Sequence, residues 1–324
     1  MSQPALFLGA RCPPNIEAYL DSLLYRTPST TTFELVVVNE PDLPNWLTDH
    51  PRVSVTGYSA PHVTGAGRIP ATARVVRRYL RDRSPLELRQ ITQPRWHAPG
   101  VILGATGTDT DVCTRASESL FAEYREAPVP VRAWLANNLL GRSIFLADRL
   151  FTPAYGGVTC PWWAPASLVV EERRVNADRF TSDVAPRAGL FERSQNCVLT
   201  VGRVSRRKGI DLLLAVAQLC NTCEFTVVGP VGDEALAAKL DASANVRHHP
   251  PVDYVEMPAL YTAADLVLSV SRLEWGGVSR AMLEAKAAGR PVIALDKGQA
   301  DQVADTVVPD SPRAIATAVT AHLK

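Results

Sequence analysis

Along the first half of the chain, apolar runs rich in β-branched residues alternate with amphipathic stretches of helical period. Pro4–Gly9, Phe33–Asn39, Val53–Tyr58, Leu86–Thr92 and Val112–Ala116 read as strands. Asn15–Tyr25 reads as a helix, with Asn15 as N-cap and Glu17 in its first turn. Ile69–Arg83 is a second helix, opened beside Pro70, a residue tolerated in a first turn. Pro99–Ala105 is a short third. Beyond Ala127 the pattern is less regular. Val131–Asn138 and Ile144–Leu150 carry helical spacing, and Leu168–Glu171 is a last strand. Between them, residues 153–165 hold three Pro, two Gly and two Trp, which makes a loop packed by its own aromatics.

Residues 181–195 are polar, with Pro and Gly and no period, and read as a linker. A second alternating half follows. Its strands are Val198–Val201, Phe225–Val228, Asn245–His248, Leu266–Val270 and Pro291–Leu295. Its helices are Ile210–Leu219, Glu234–Leu240, Met257–Ala263, Ser279–Ala288 and Pro312–Leu323. Alternation of this kind predicts parallel, doubly wound α/β sheets. The division is therefore a first domain over 1–180, a linker over 181–195 and a second domain over 196–324. A chain of 324 residues has room for both.

Composition changes this picture little. Hydrophobic residues make up 46% and charged residues 21%, as in ordinary globular proteins, and a formal net charge of +1 gives no reason to expect a nucleic-acid partner. No stretch reaches the ~18 apolar residues of a membrane span, and the N-terminus lacks the basic region of a signal peptide. The expectation is a cytoplasmic protein. The six Cys are scattered. Cys220 and Cys223 have a CxxC spacing but follow a helix and have no second pair, so they read as a loop rather than a zinc or redox site.

Chemistry concentrates in the second half. Val201-Gly-Arg-Val-Ser-Arg-Arg-Lys-Gly-Ile210 runs from a strand end through a basic loop into a helix. Ligands of open α/β sheets bind at strand carboxyl ends, and a helix N-terminus favours phosphate. Arg203 and Lys208 add full charges there; a solvated basic loop is the plain alternative. Ser271-Arg-Leu-Glu-Trp-Gly-Gly-Val-Ser-Arg-Ala-Met-Leu-Glu-Ala285 repeats the strand–loop–helix plan. Gly276 and Gly277 let backbone amides approach an anion. Glu284, inside the helix, could accept two hydrogen bonds from a ribose diol, or be an exposed helix residue.

Together with Val228-Gly229, Met257-Pro-Ala-Leu-Tyr-Thr-Ala-Ala-Asp265, Leu283-Glu-Ala285 and Gly289-Arg-Pro-Val-Ile-Ala294, these segments resemble the donor domain of retaining family 4 glycosyltransferases, the glycosyl transferases group 1 of GT-B fold. The pattern is followed from Cys197 to Asp305. The resemblance implies two Rossmann-like domains facing across a cleft, and transfer of a sugar from a nucleotide-sugar donor to a saccharide or lipid-linked acceptor. It implies that Arg203 and Lys208 bind the donor diphosphate, that Gly202, Gly276, Gly277 and Val278 shape its loops, and that Glu284 binds the ribose. No metal or other cofactor is implied, because protein cations take that place. The family separates its paired Glu by seven residues, whereas Glu274 and Glu284 are separated by nine. A two-residue insertion would leave Glu274 in the catalytic role. A nucleotide-sugar epimerase and a catalytically silent nucleotide-binding partner are the alternatives.

The first half carries the resemblance more weakly. Arg174-Val-Asn-Ala-Asp-Arg-Phe180 looks like the family's segment at the domain junction, and Arg11-Cys-Pro-Pro-Asn15 replaces its Gly-Gly loop. Many members place a His where this chain has Arg115, which makes Arg115 a sugar- or acceptor-side residue or a structural ion pair. His97, after another strand end, is a second residue for that side. Asp109-Thr-Asp111 has a metal-binding form that short acidic patterns also reach by chance. The helix Ile69–Arg83 carries Arg74, Arg77, Arg78, Arg81 and Arg83, suited either to peripheral contact with the inner face of the membrane or to a solvated face.

Overall fold

A computed structural model describes residues 4–10, 12–39, 41–92, 94–115, 140–152, 161–192, 196–272 and 278–323. The chain divides into two compact units, Met1–Glu172 and Arg173–Lys324.

In the first unit seven strands form one parallel sheet, β1 (Ala5–Gly9), β2 (Phe33–Val38), β3 (Val53–Tyr58), β4 (Glu87–Gln90), β5 (Asp111–Arg115), β6 (Arg149–Thr152) and β7 (Ser167–Val170). Their order is β3-β2-β1-β4-β5-β6-β7, so the winding reverses between β1 and β4. The helices are α1 (Pro14–Arg26), α2 (Asn45–Thr48), α3 (Arg68–Asp82) and α4 (Pro94–Ala105). Successive strand residues point to opposite faces, and both faces of a parallel sheet are covered. Ala5 and Phe7 pack with Val75, Val76 and Tyr79 of α3, while Leu6 and Leu8 pack with Ile16, Tyr19 and Leu20 of α1. Each fully buried Leu, Ile, Val or Phe among them contributes about 1.5–3 kcal/mol.

The second unit repeats the plan with β8 (Cys197–Val201), β9 (Glu224–Val228), β10 (Val246–His249), β11 (Leu266–Ser269), β12 (Val292–Leu295) and β13 (Thr306–Val308), in the order β10-β9-β8-β11-β12-β13. Its helices are α5 (Ile210–Leu219), α6 (Glu234–Asp241), α7 (Met257–Thr262), α8 (Arg280–Ala287) and α9 (Pro312–His322). Here the winding reverses between β8 and β11. Cys220 and Cys223 lie in the core beneath this sheet, in the turn that closes α5. Burial pushes the Cys220 thiol up, partly offset by Thr320 and Cys223.

Four expectations change. Helix α1 begins at Pro14, because a proline's fixed φ suits the first helical position, so Asn15 lies inside the turn rather than capping it. The stretch read as a helix over Ile144–Leu150 is a short 3-10 turn, Gly141–Leu146, followed by β6. Strand β13 was not expected, since three residues give no period to read. The described part of 181–195 is not a free linker. Phe180 is fully buried against Tyr254 and Tyr261, the Arg187 N–H donates to the Ala259 carbonyl at 2.8 Å, and the Leu190 carbonyl accepts from Thr226 at 3.2 Å. These contacts place residues 173–192 with the second unit, so the division falls at Glu172/Arg173 instead of after Phe180. The helix read over Val131–Asn138 lies outside the described residues, as does most of the 153–165 loop.

Candidate functional site

In the second unit the sequence brings its basic loop to the carboxyl end of β8, at the reversal of the winding, where α/β sheets bind ligands. The loop does not hang free. Gly202 N–H donates to Val228 O at 2.9 Å, Val204 N–H to Pro230 O at 3.0 Å and Gly232 N–H to Val204 O at 3.1 Å. These bonds continue the β8–β9 pairing past both strand ends. The approach is close enough to require glycine: a Cβ on Gly229 would stand 2.2 Å from the Gly202 carbonyl oxygen.

The two expected cations are laid along this frame. A Cβ on Gly232 would stand 2.6 Å from Cδ of Arg203, so the arginine stem occupies the space a side chain would take. Cδ of Lys208 lies 3.7 Å from where a Cβ on Gly202 would be, so the lysine stem folds back over Gly202. Arg203 is exposed and Lys208 half-buried. The two stems therefore lie over two glycines of one frame, Gly232 and Gly202. Gly209, at the start of α5, has φ +72° and abuts the Val270 carbonyl, which fits no other residue there.

Arg272 ties this loop to the end of β11. Its Nη1 donates to Asp211 Oδ1 at 2.7 Å and to the Arg206 carbonyl at 3.2 Å, and its Nε to Asp310 Oδ2 at 3.1 Å. Burial alone would raise the Asp211 carboxyl, but the hydrogen bond and charge of Arg272 hold it below its ordinary value. Sequence reasoning passed over Arg272, though it stands in the quoted strand–loop–helix segment. It passed over Lys297 too, which with Ser269, Ser271 and Ser279 borders a cavity of about 10 Å³ at the ends of β11 and β12.

Glu284 is 4% exposed, inside α8, and accepts a hydrogen bond from the Tyr261 hydroxyl at 2.7 Å. Burial, then the neighbouring Glu284 charge, drive the Tyr261 phenol well above its ordinary value. The exposed-helix alternative for Glu284 is thus excluded. The Val278 carbonyl accepts from Arg173 Nη1 at 3.1 Å, which fixes the loop where it enters α8. Glu274, Gly276 and Gly277 lie outside the described residues.

The first unit has a cavity of about 260 Å³ at the carboxyl ends of β1 and β2 and beside β3. His97 lines it, 7% exposed, with Nδ1 3.0 Å from the Thr72 hydroxyl and its ring 5.4 Å from that of Phe7. Burial, then the Arg68 charge, lower its pKa to about 4, so the ring is neutral near pH 7. Arg115 behaves differently. Its guanidinium stacks 3.9 Å from the Tyr19 ring centroid and sits 3.7 Å from Glu171. Glu171 also holds Arg26 and, at 3.0 Å, Arg89. Arg115 is held in an ion-pair arrangement in which three guanidiniums share one half-buried carboxylate. Asp111 starts β5 and pairs with Arg149 at 3.2 Å, at the sheet end opposite the strand carboxyl ends. No group of three or more His, Cys, Asp or Glu suited to a metal occurs among the described residues.

Comparison with known proteins follows this division. Residues 195–324 match the family model of Glycosyl transferases group 1. A D-inositol 3-phosphate glycosyltransferase of Salinispora arenicola (strain CNS-205) is 35% identical over 161 residues, covering 41% of this chain and 35% of that protein. The chain thus spans about a third of the length of the curated relatives it matches. Solved structures are similar over nearly the whole chain. Sucrose-phosphate synthase from Thermosynechococcus elongatus gives a TM-score of 0.74 at 17% identity, covering 98% of this chain and 89% of that one. Anabaena Alr3699/HepE, in complex with UDP-glucose, gives 0.73 at 16%, covering 99% and 89%. The fold is that of GT-B glycosyltransferases, two Rossmann-like units with parallel sheets. The group 1 region holds Arg203, Lys208, Val278 and Glu284; His97 and Arg115 lie outside it.

Proposed function

We propose that the protein is a retaining glycosyltransferase of family 4 that moves a sugar from a nucleoside-diphosphate sugar to a saccharide or lipid-linked acceptor. The observation that carries this reading is the pair of stems, Arg203 over Gly232 and Lys208 over Gly202, at the winding reversal of the unit that matches the family model. Two cations there neutralise the nucleoside diphosphate as it leaves, and preorganised charge of this kind is commonly the largest catalytic contribution. Buried Glu284 accepts from the ribose. Glu274 takes the first-Glu role at the donor sugar; Glu274→Gln then lowers turnover by orders of magnitude, and near-normal activity rejects the assignment. Metal is not required, so turnover survives EDTA; activity abolished by EDTA and restored by Mn²⁺ overturns that part.

The relatives named D-inositol 3-phosphate glycosyltransferases and the UDP-glucose complex of a structural neighbour support a nucleotide-sugar donor and a polyol or sugar acceptor. A thermal-shift screen with UDP, GDP and ADP sugars, followed by mass spectrometry of products on saccharide and lipid acceptors, tests the reading. Stabilisation by a donor and its slow hydrolysis without acceptor are expected; binding with no turnover on any acceptor rejects it. We place the protein in the cytoplasm, with peripheral membrane contact through α3 as a further part of the reading. No helix among the described residues is long and apolar enough to cross a membrane. Arg77 and Arg78 of α3, and Arg83 just past its end, are engaged within the unit: Arg77 with the Leu103 carbonyl, Arg78 over Tyr58 and Arg83 with Glu34. Co-sedimentation with liposomes that ignores anionic lipid content removes the membrane contact.

A further inference from the structure

Both faces of a parallel sheet are ordinarily covered, and β7 departs from this. It closes one edge of the first sheet, and among the described residues no strand pairs with its outer side. The Ser167 N–H donates to the Asp148 carbonyl at 3.0 Å and the Glu171 N–H to the Thr152 carbonyl at 2.7 Å, so the odd-numbered residues bond to β6. The N–H and C=O groups of Leu168 and Val170 therefore point away from the sheet. Their side chains, 42% and 44% exposed, share a face with Leu150, which pairs with Leu168 and packs with Ile144 and Phe145. The apolar surface continues at the amino end of β7. Trp163 meets Phe145 edge-on, with ring centroids 5.9 Å apart. Leu146 beside it is 52% exposed, and Trp162 is 96% exposed. Unpaired strand edges are commonly guarded by charge, proline or shortness. The second sheet follows that rule: β10 carries Arg247, His248 and His249 and runs into Pro250, and β13 has three residues between Asp305 and Pro309. The other edge of the first sheet, β3, mixes Val with Ser, Thr and Gly. Strand β7, Ser-Leu-Val-Val, has neither charge nor proline.

We infer that β7 is the contact of a two-fold homodimer, in which the strand pairs antiparallel with its own copy and joins two seven-stranded sheets into one. A two-fold axis through Val169 sets Leu168 opposite Val170 of the second copy. The Leu168 N–H then donates to that Val170 carbonyl and the Leu168 carbonyl accepts from its N–H, and the axis repeats both bonds. A second copy suits the edge better than a foreign chain because the edge is complementary to itself. Leucine meets valine across the strands, and no charge faces its like. The area agrees. Leu146, Trp162, Trp163, Leu168 and Val170 leave on the order of 500 Å² of apolar surface open. At the ~65% apolar share of homodimer interfaces this corresponds to about 800 Å² per partner, the size of a stable contact. The contact involves the first unit alone and is independent of the proposed reaction.

Sedimentation velocity of the full chain over a concentration series tests this. A monomer–dimer equilibrium with a Kd in the micromolar range or tighter is expected, as interfaces of this size give. Val170→Lys should weaken the dimer at least tenfold, and the double variant Leu168→Lys/Val170→Lys should be monomeric. Val55→Lys, the same change on the β3 edge, should leave the dimer intact. Trp162→Ser should weaken it several-fold. These side chains are all well exposed, so the variants should fold, which circular dichroism checks. In hydrogen exchange, the amides of residues 168 and 170 should be protected in the wild-type dimer and exchange freely in the double variant. A chain that stays monomeric well above micromolar concentration, open-ended polymers, a dimer that survives the double variant or ignores Trp162→Ser, or one that Val55→Lys dissociates as readily, each overturns the inference. So do edge amides that stay protected in the double variant, which would mean that another segment of the same chain covers β7. A monomer whose tryptophan emission shifts on liposomes would give the patch to a lipid surface instead, and overturns it as well.

Discussion

At the winding reversal of the second sheet, Gly229 and Gly232 give their space to a carbonyl and to the stem of Arg203, and the stem of Lys208 lies in contact over Gly202; at the reversal of the first, Gly9 gives its space to the ring of His97. The same topology and the same missing side chains thus present two kinds of chemistry. One unit carries two cations, Arg203 exposed and Lys208 half-buried. The other carries a buried, neutral ring whose polarity is set by a single hydroxyl. Exposed charge suits a diphosphate that arrives and departs with its counterions. A neutral donor in an apolar wall suits a ligand that must be oriented. The fold supplies the place, and the residues facing the glycines supply the role.

The largest expected effect tests the cationic half. Replacing either Arg203 or Lys208 with Ala should lower kcat/KM for transfer by about 10²–10³, the cost of losing one preorganised donor at a developing anion. Steady-state rates with a fixed donor measure it. Wild-type rates in both variants would remove the contrast between the two reversals.

The next effect tests the neutral half. His97 is held near pKa 4 by burial and by Arg68, against about 6.5 in an unfolded chain. The unfolded chain therefore takes up the proton first as pH falls. The stability this ring contributes is whole above about pH 6.5 and is lost as pH drops toward 4. Between pH 7 and pH 5 the loss amounts to about 2 kcal/mol. Urea unfolding at the two pH values should show that loss in the wild-type chain and not in His97→Gln. An equal loss in both proteins would mean that the ring is not held neutral.

These contrasts were unequally legible in the residues. The alternation of apolar runs and amphipathic stretches gave both parallel sheets, because buried strands and helices each impose their own period. The basic loop of the second unit could be read because its cations and glycines are adjacent in sequence. His97 was visible only as one residue among several for the acceptor side. Its partners, Gly9 on β1 and Arg68 and Thr72 on α3, come from two distant segments, and a spacing pattern cannot show residues that only the sheet brings together. The surroundings of Arg115 were hidden for the same reason: its stacking on Tyr19 and its pairing with Glu171, a carboxylate shared with Arg26 and Arg89, are contacts no local window contains. The run 181–195 looked like a linker because polar composition hides single anchors such as Leu190.

The smallest effect concerns what keeps the cationic loop in shape. Arg272 reaches Asp211 at the start of α5, Asp310 and the Arg206 carbonyl, all partly open to water. Ion pairs this exposed contribute roughly 0–1 kcal/mol each, so losing both in Arg272→Ala should lower global stability by no more than about 2 kcal/mol. The catalytic consequence should be set by geometry rather than by stability. Arg272 is a positioning residue: it touches the loop that carries Arg203 and Lys208, and its loss should raise KM for the donor several-fold while kcat changes less. Arg272→Lys keeps the charge but cannot hold two carboxylates and a carbonyl in one plane, so it should restore little. Full recovery by lysine would mean that charge alone shapes the loop. A fall confined to stability, with KM unmoved, would mean that the β8–β9 backbone pairing holds Arg203 and Lys208 in place without help from β11.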